Sequence, residues 1–238
     1  MQRNLIWIKV GSPEQADFPS CSNQKRLKMK RSLLAATALV ALTCAAPAFA
    51  QSKGDFTLGL GFASVNPKSD NGSLVGGTLP LNVGSNVRPT ITFEYFLKDN
   101  LGIEVLAATP FKHTINLTGL GDVGSVKHLP PVISVQYHFP TGGPLTPFVG
   151  AGINYTTFFS EKATGALAGN QLRLSDSWGL ALHVGVDYKL SEKGSLRADV
   201  RWADIDSTVK MNGAKIGTAN IDPLVVGDAH YKTAEAVR

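Results

Sequence analysis

The chain has 238 residues, is 43% hydrophobic and 17% charged, and carries a formal net charge of +5. That excess belongs to the front: residues 1–50 hold seven Lys or Arg against Glu14 and Asp17, while residues 51–238 hold sixteen basic and sixteen acidic residues. The neutral remainder excludes the basic footprint of a nucleic-acid-binding protein, and with Cys21 and Cys44 both in the front segment it has neither a disulfide framework nor a thiol nucleophile.

The front segment reads as an export signal. Met29-Lys30-Arg31 is a positive start, Ser32 to Ala46 is a run of small and apolar residues, and Ala48-Phe49-Ala50 is a small-x-small cleavage site before Gln51. The run is shorter than the roughly 20 residues a membrane-spanning helix needs. Cys44 is a poor lipoprotein site, because Ala41-Leu42-Thr43 does not match such a box. Residues 1–28 fit no part of the signal and are read as a mis-assigned upstream extension, which leaves residues 29–50 as the signal peptide and Met29 as the initiator.

No apolar run after Gln51 is long enough for a spanning helix. A membrane protein built from this remainder must therefore be a closed barrel, since only helices and barrels satisfy the backbone in lipid. The strand signal is period-two alternation. Strand one is Phe56 to Val65, with Phe56, Leu58, Leu60 and Phe62 against Thr57, Gly59, Gly61 and Ala63. Its glycines are not a phosphate loop, because no GK[ST] and no helical pattern follow. A polar connection, Asn66 to Val87, leads to strand two, Thr90 to Leu97, where Ile91, Phe93 and Tyr95 oppose Thr92 and Glu94. After the turn at Lys98-Asp99-Asn100, strand three runs from Leu101 to about Thr109, with Glu104 on its polar side. A second long connection is Phe111 to Lys127. Strand four is His128 to Phe139, with Gln136 and His138 on the polar side and Pro130-Pro131 near its start. Strand five is Pro147 to Phe158, and a third long connection is Phe159 to Asp176.

The clearest hairpin is Trp178 to Asp206. Leu180, Leu182, Val184, Val186, Tyr188 and Leu190 share one face with Trp178, then Leu196, Ala198, Val200 and Trp202; His183, Asp187, Arg197, Asp199 and Arg201 share the other. Lys210-Met211-Asn212-Gly213 is a turn, and strand eight is expected from Ala214 to about Val226. The reading is an all-β, eight-stranded antiparallel transmembrane barrel over residues 51–227, with long connections outside the cell and short turns in the periplasm. Residues 228–238 form an atypical tail that resembles an altered end, and strand eight is expected to close poorly against strand one.

On the inward face, Glu94, Glu104, His138, His183, Asp187, Arg197, Asp199 and Arg201 are expected to pair across the lumen and plug its base, since eight strands leave room only for side chains. No Ser or Thr stands beside a His and a carboxylate on one short span, so no catalysis is expected. His113 and His128 flank a loop, and His230 lies in the tail. No cofactor is implied, and no histidine or carboxylate group has metal-ligand spacing. The long connections carry Phe111, Ile115, Leu117, Leu120, Phe158, Phe159, Leu167, Leu172 and Leu174. These either mark a binding surface or pack on one another.

Several blocks carry a family resemblance: LGIEVLAATPFKHTI (Leu101–Ile115), HLPPVISVQYHF (His128–Phe139), PFVGAGINYTTFFSEK (Pro147–Lys162), DSWGLALHVGVDYKL (Asp176–Leu190) and IDPLVVG (Ile221–Gly227). Together they resemble the OmpW family of small outer-membrane proteins over nearly all of residues 51–227. The resemblance implies passage of small hydrophobic molecules, such as alkanes, through an apolar funnel that opens outward, has a blocked base and releases cargo sideways into the membrane. Phe111, Leu117, Leu120, Phe158 and Trp178 are the funnel candidates, and Pro130 and Pro131 the lateral-gap candidates. Trp178 matches the family's aromatic at a constriction, whereas parity places it toward lipid unless a bulge intervenes. The expected partners are outer-membrane lipid and lipopolysaccharide, small hydrophobic molecules and the outer-membrane assembly machinery. The alternative is a structural or adhesive barrel whose loops bind a surface partner.

Overall fold

Residues 51–236 are described by a computed structural model; the expectations for residues 1–50 lie outside them. Fifteen strands run in chain order: β1 (Asp55–Asn66), β2 (Gly72–Leu74), β3 (Leu79–Val83), β4 (Asn86–Lys98), β5 (Leu101–Ala108), β6 (Phe111–Leu117), β7 (Gly121–Leu129), β8 (Val132–His138), β9 (Leu145–Ala163), β10 (Leu172–Leu174), β11 (Ser177–Lys189), β12 (Gly194–Ala203), β13 (Asp206–Met211), β14 (Ala214–Asn220) and β15 (Leu224–Ala236).

Eight of them close a ring. β1 pairs with β4, β4 with β5, β5 with β8, β8 with β9, β9 with β11, β11 with β12, β12 with β15, and β15 returns to β1, every pair antiparallel. Closure leaves no edge strand, which is what lipid demands of a β structure. The period-two pattern then sorts the side chains. Leu58, Leu60, Phe62, Phe93, Ile133, Val149, Ile153, Leu180 and Val184 are exposed on the wall, while Glu94, Glu104, Gln136, His138 and Arg197 are buried inside it.

The long connections are not loops. β2, β3, β6, β7, β10, β13 and β14 join the upper part of β9 in a second sheet, in the order β10-β13-β14-β2-β3-β6-β7-β9. β9 serves both layers. Its 19 residues extend about 60 Å, far beyond the length a tilted strand needs to cross a membrane. At Ser160 (φ 54°) it bulges against β7.

Strand two lengthens to Asn86–Lys98 and strand five to Leu145–Ala163, and the larger changes are in strands four and eight. Strand four begins at Val132 rather than His128, because Pro130 and Pro131 interrupt the ladder and His128 belongs to the β6–β7 hairpin. The residues expected to form strand eight, from Ala214, form β14, the return arm of a hairpin with β13. The seventh connection is therefore long as well, and it puts four long connections at one end of the ring and three short turns at the other. The true closing strand is β15. It continues past Gly227 to Ala236, paired with β1 down to Asp55↔Ala236 and with β12 down to Gly194↔Thr233. Each ladder passes over one extra residue of β15 between Gly227 and Tyr231, so the backbone takes up a bulge there and stays in the sheet.

Candidate functional site

The interior is a column that changes character along the axis. Nearest the short turns is a buried ionic floor. Arg197 is its centre, only 1% exposed. Its guanidinium donates from Nε and Nη2 to the two oxygens of Asp187 at 2.7 and 2.8 Å, donates from Nη1 to Glu104, and lies 3.9 Å from the centre of the Phe148 ring. Arg201 donates to the other Glu104 oxygen at 2.7 Å and stands 3.6 Å from Asp199. His138 meets Glu94 at 2.7 Å, and Gln136 links Glu104 to His183 at 3.3 and 3.0 Å. Bidentate, charge-assisted contacts of this kind fix geometry as well as charge. All eight expected plug residues thus meet in one network.

Sequence parity makes the floor possible, and small residues make room for it. A methyl group on Gly102 would strike the Glu94 carboxylate, and one on Gly150 would strike the His183 ring. Phe96 and Phe148 were not singled out as inward residues. Both are buried and flank His138, each with ring centroids 5.4 Å away. The signal was available, since Phe96 shares the parity of Glu94.

At the far end is an apolar chamber. Each strand of the second sheet contributes to it, through side chains such as Leu74, Leu81, Leu117, Val126, Phe158 and Leu172. Of the funnel candidates, Leu117 and Phe158 line this cluster, while Phe111 packs just below with Ala63 and Val65. The residual space in the chamber is about 20 Å³, so it is closed and the apolar side chains of the long connections pack on one another. Two candidates lie elsewhere. Leu120 sits at the β6–β7 turn and is 45% exposed. Trp178 is 72% exposed on the outer wall, because β11 keeps an unbroken register with β9 and no bulge reverses its parity. Its ring lies tilted against Tyr155 with centroids 4.6 Å apart, and the Tyr155 hydroxyl donates to Asp176 at 2.7 Å. Aromatics of this kind mark the interface level of a membrane barrel.

Between floor and chamber lies a cavity of about 30 Å³ lined by Leu106, Pro130, Val132, Asn154, Arg201 and His128, among others. Its upper limit is a pair of histidines, His113 and His128, that in the sequence flank a connection. His113 and His128 face each other at 3.3 Å between their Nε2 atoms, above the Tyr155–Trp178 level, with Phe111 and Phe158 packed on the His128 ring. Burial pushes the His128 imidazole down to about 3, with the neighbouring His113 adding to the effect, and burial lowers His113 as well, so both are neutral. His113 lines the chamber and His128 lines the cavity, so the pair is the partition between them. Beside the cavity the β5–β8 ladder ends at Leu106↔Val132, and Pro130 and Pro131 have no N–H to extend it.

The OmpW family profile matches residues 52–230. This chain belongs to the OmpW family. Outer membrane protein W of Vibrio cholerae is 43% identical over 209 residues, covering 83% of this chain and 96% of that protein. The crystal structure of the outer membrane protein OprG from Pseudomonas aeruginosa superposes with a TM-score of 0.70 at 32% identity, over 79% of this chain and 99% of OprG. A more distant relative, the dibenzothiophene metabolism operon protein PahQ of Pseudomonas aeruginosa, is 28% identical over 136 residues, covering 55% of this chain and 62% of PahQ. The chain is accordingly an OmpW-family barrel of the outer membrane. Its exposed wall faces lipid.

Proposed function

We propose that this barrel conducts small hydrophobic molecules from outside the cell into the outer membrane, as a conduit and not as an enzyme. Cargo enters the apolar chamber, passes the His113–His128 partition, is stopped by the ionic floor and leaves sideways between the end of β5 and Pro130-Pro131. The observation that carries this reading is the order of environments along the axis. An apolar chamber stands over a buried ionic network, and a cavity between them reaches the place where the wall lacks ladder bonds. An apolar solute gains on entering such a chamber, whereas crossing the floor would mean breaking buried ion pairs.

Because the chamber is nearly filled, conduction needs an opening. The seam between β10 and β9 is the candidate. No ladder joins these strands among the described residues; instead Arg173 reaches Glu161 at 3.1 Å and the Leu174 N–H donates to the same carboxylate at 3.4 Å. Arg173 is exposed while the Glu161 carboxylate is covered, so these two contacts alone stand where a ladder would otherwise join the strands. PahQ supports an apolar cargo, since its name ties it to the metabolism of dibenzothiophene. Replacing both prolines, Pro130→Val with Pro131→Val, restores two ladder donors beside the cavity. Uptake of octane by cells expressing this variant is expected to fall at least severalfold below that of the wild type. Uptake equal to wild type by a folded variant would remove the lateral route.

A further inference from the structure

Four polar side chains stand in the otherwise apolar lining of the mid-barrel cavity, Thr90, His128, Asn154 and Arg201, and the last three each have a buried nitrogen with no protein partner: Nδ1 of His128, Nδ2 of Asn154 and Nη1 of Arg201. His128 and Asn154 are 0% exposed and Arg201 3%. Three unmatched polar atoms around so small a space in an apolar wall point to a group that would match them.

Their hydrogen-bonding roles follow from their other partners. The Gly84 carbonyl can only accept, so Nδ1 of His113 carries the proton there. With His113 neutral, its Nε2 is an acceptor, and Nε2–H of His128 must donate to it. His128, also neutral, then has no proton on Nδ1, which is left as a lone pair facing an apolar environment. Asn154 accepts from Thr156 with Oδ1 at 2.8 Å, which leaves its NH₂ as a donor. Arg201 already engages Glu104 and Asp199 through Nη2, so its charge is matched and Nη1 remains as a plain donor.

The unmatched atoms of the cavity therefore offer two donors and one acceptor. A hydroxyl group has the inverse set, two lone pairs and one O–H. A hydrocarbon satisfies none of the three. A ketone satisfies the donors and leaves His128 unmatched. A carboxylate would set a negative charge against the His128 lone pair and near Glu104. We propose that the mid-barrel cavity recognises the hydroxyl group of a small hydrophobic alcohol or phenol, with Asn154 and Arg201 donating to its oxygen and His128 accepting its proton. The hydroxyl fills the space of about 30 Å³ while its apolar tail extends past Pro130 or into the chamber. This rests on the conduit reading and names the class of cargo.

The test compares 1-octanol, 2-octanone, octane and octanoate. Uptake is measured in a Gram-negative host expressing the full chain, each rate divided by that of the empty-vector cells. The expected result is 1-octanol ahead of 2-octanone and octane by about tenfold, the scale of one buried hydrogen bond, with octanoate last. In Asn154→Leu and in His128→Phe, each checked for folding by its heat-dependent gel shift, the octanol-to-octane ratio falls toward one. Equal rates for octanol and octane would leave the conduit standing and overturn the hydroxyl site, whose polar atoms would then hold water alone. If no probe exceeds the vector control, the conduit fails and the site falls with it. A second readout needs no transport. In ¹⁵N-histidine-labelled barrel in lipid nanodiscs, the His128 Nδ1 resonance should be of the unprotonated type and shift on addition of 1-octanol but not of octane. A protonated Nδ1, or no response to octanol, would overturn the assignment.

Discussion

Arg197 shows how much one side chain carries in this barrel. It joins Asp187 to Glu104 and covers the Phe148 ring from a fully buried position. Removing one partner of a buried ion network costs about 3–5 kcal/mol, because the remaining charges stay desolvated and unmatched. Arg197→Ala is therefore expected to lower unfolding stability by about that amount, measured by denaturant titration in micelles, and to raise ion conductance across planar bilayers by opening the floor. Trp178 is the opposite case. It stands on the outer wall against Tyr155, so Trp178→Ala should weaken retention at the membrane interface, read as easier extraction by mild detergent, and leave octane uptake at the wild-type rate. Parity read from the sequence was enough to put Trp178 outside. The family resemblance pointed the other way, and the unbroken register of β11 on β9 decided it.

At the scale of elements, the β6–β7 hairpin holds both halves of the histidine partition. In each histidine the folded state disfavours the proton, so the hairpin's stability is fully present above the unfolded pKa of about 6.5 and is lost as pH falls toward the folded value, which for His128 is about 3. Amide exchange in β6 and β7, corrected for its intrinsic pH dependence, should speed up between pH 7 and pH 4.5 while β11 and β12 stay protected. This hairpin was only partly legible in the sequence. Phe111, His113, Ile115 and Leu117 alternate with Lys112, Thr114 and Asn116, a strand pattern, but the stretch from Phe111 to Lys127 reads as a long connection between strands three and four. A histidine satisfied by a backbone carbonyl and a second imidazole behaves as a core residue, and that partnership is visible only when β3, β6 and β7 are side by side.

On the scale of the whole molecule, closure depends on β15. The bulge between Gly227 and Tyr231 lets β15 keep its ladders to both β1 and β12 although the alternation visible in the sequence ends there. Truncation after Gly227 would remove the partners of Asp55 to Leu60 on β1 and of Gly194 to Arg197 on β12, exposing two strand edges to lipid. The truncated chain is expected to lose the heat-dependent gel shift of a closed barrel and to accumulate outside the membrane fraction.

What the sequence by itself determined is which face of each strand meets lipid. Side-chain alternation is a local property, and an apolar or charged residue declares its side wherever the strand lies. Seven of the eight barrel strands and the inward carboxylates and arginines followed from it. Only the tertiary structure decided which strands are neighbours. It made β15 the closing strand in place of β14, turned four connections into a second sheet around an apolar chamber, and set His128, Asn154 and Arg201 around one cavity. Those three residues lie on β7, β9 and β12, and what brings them together is inter-strand register, a long-range property that no local window of the chain contains.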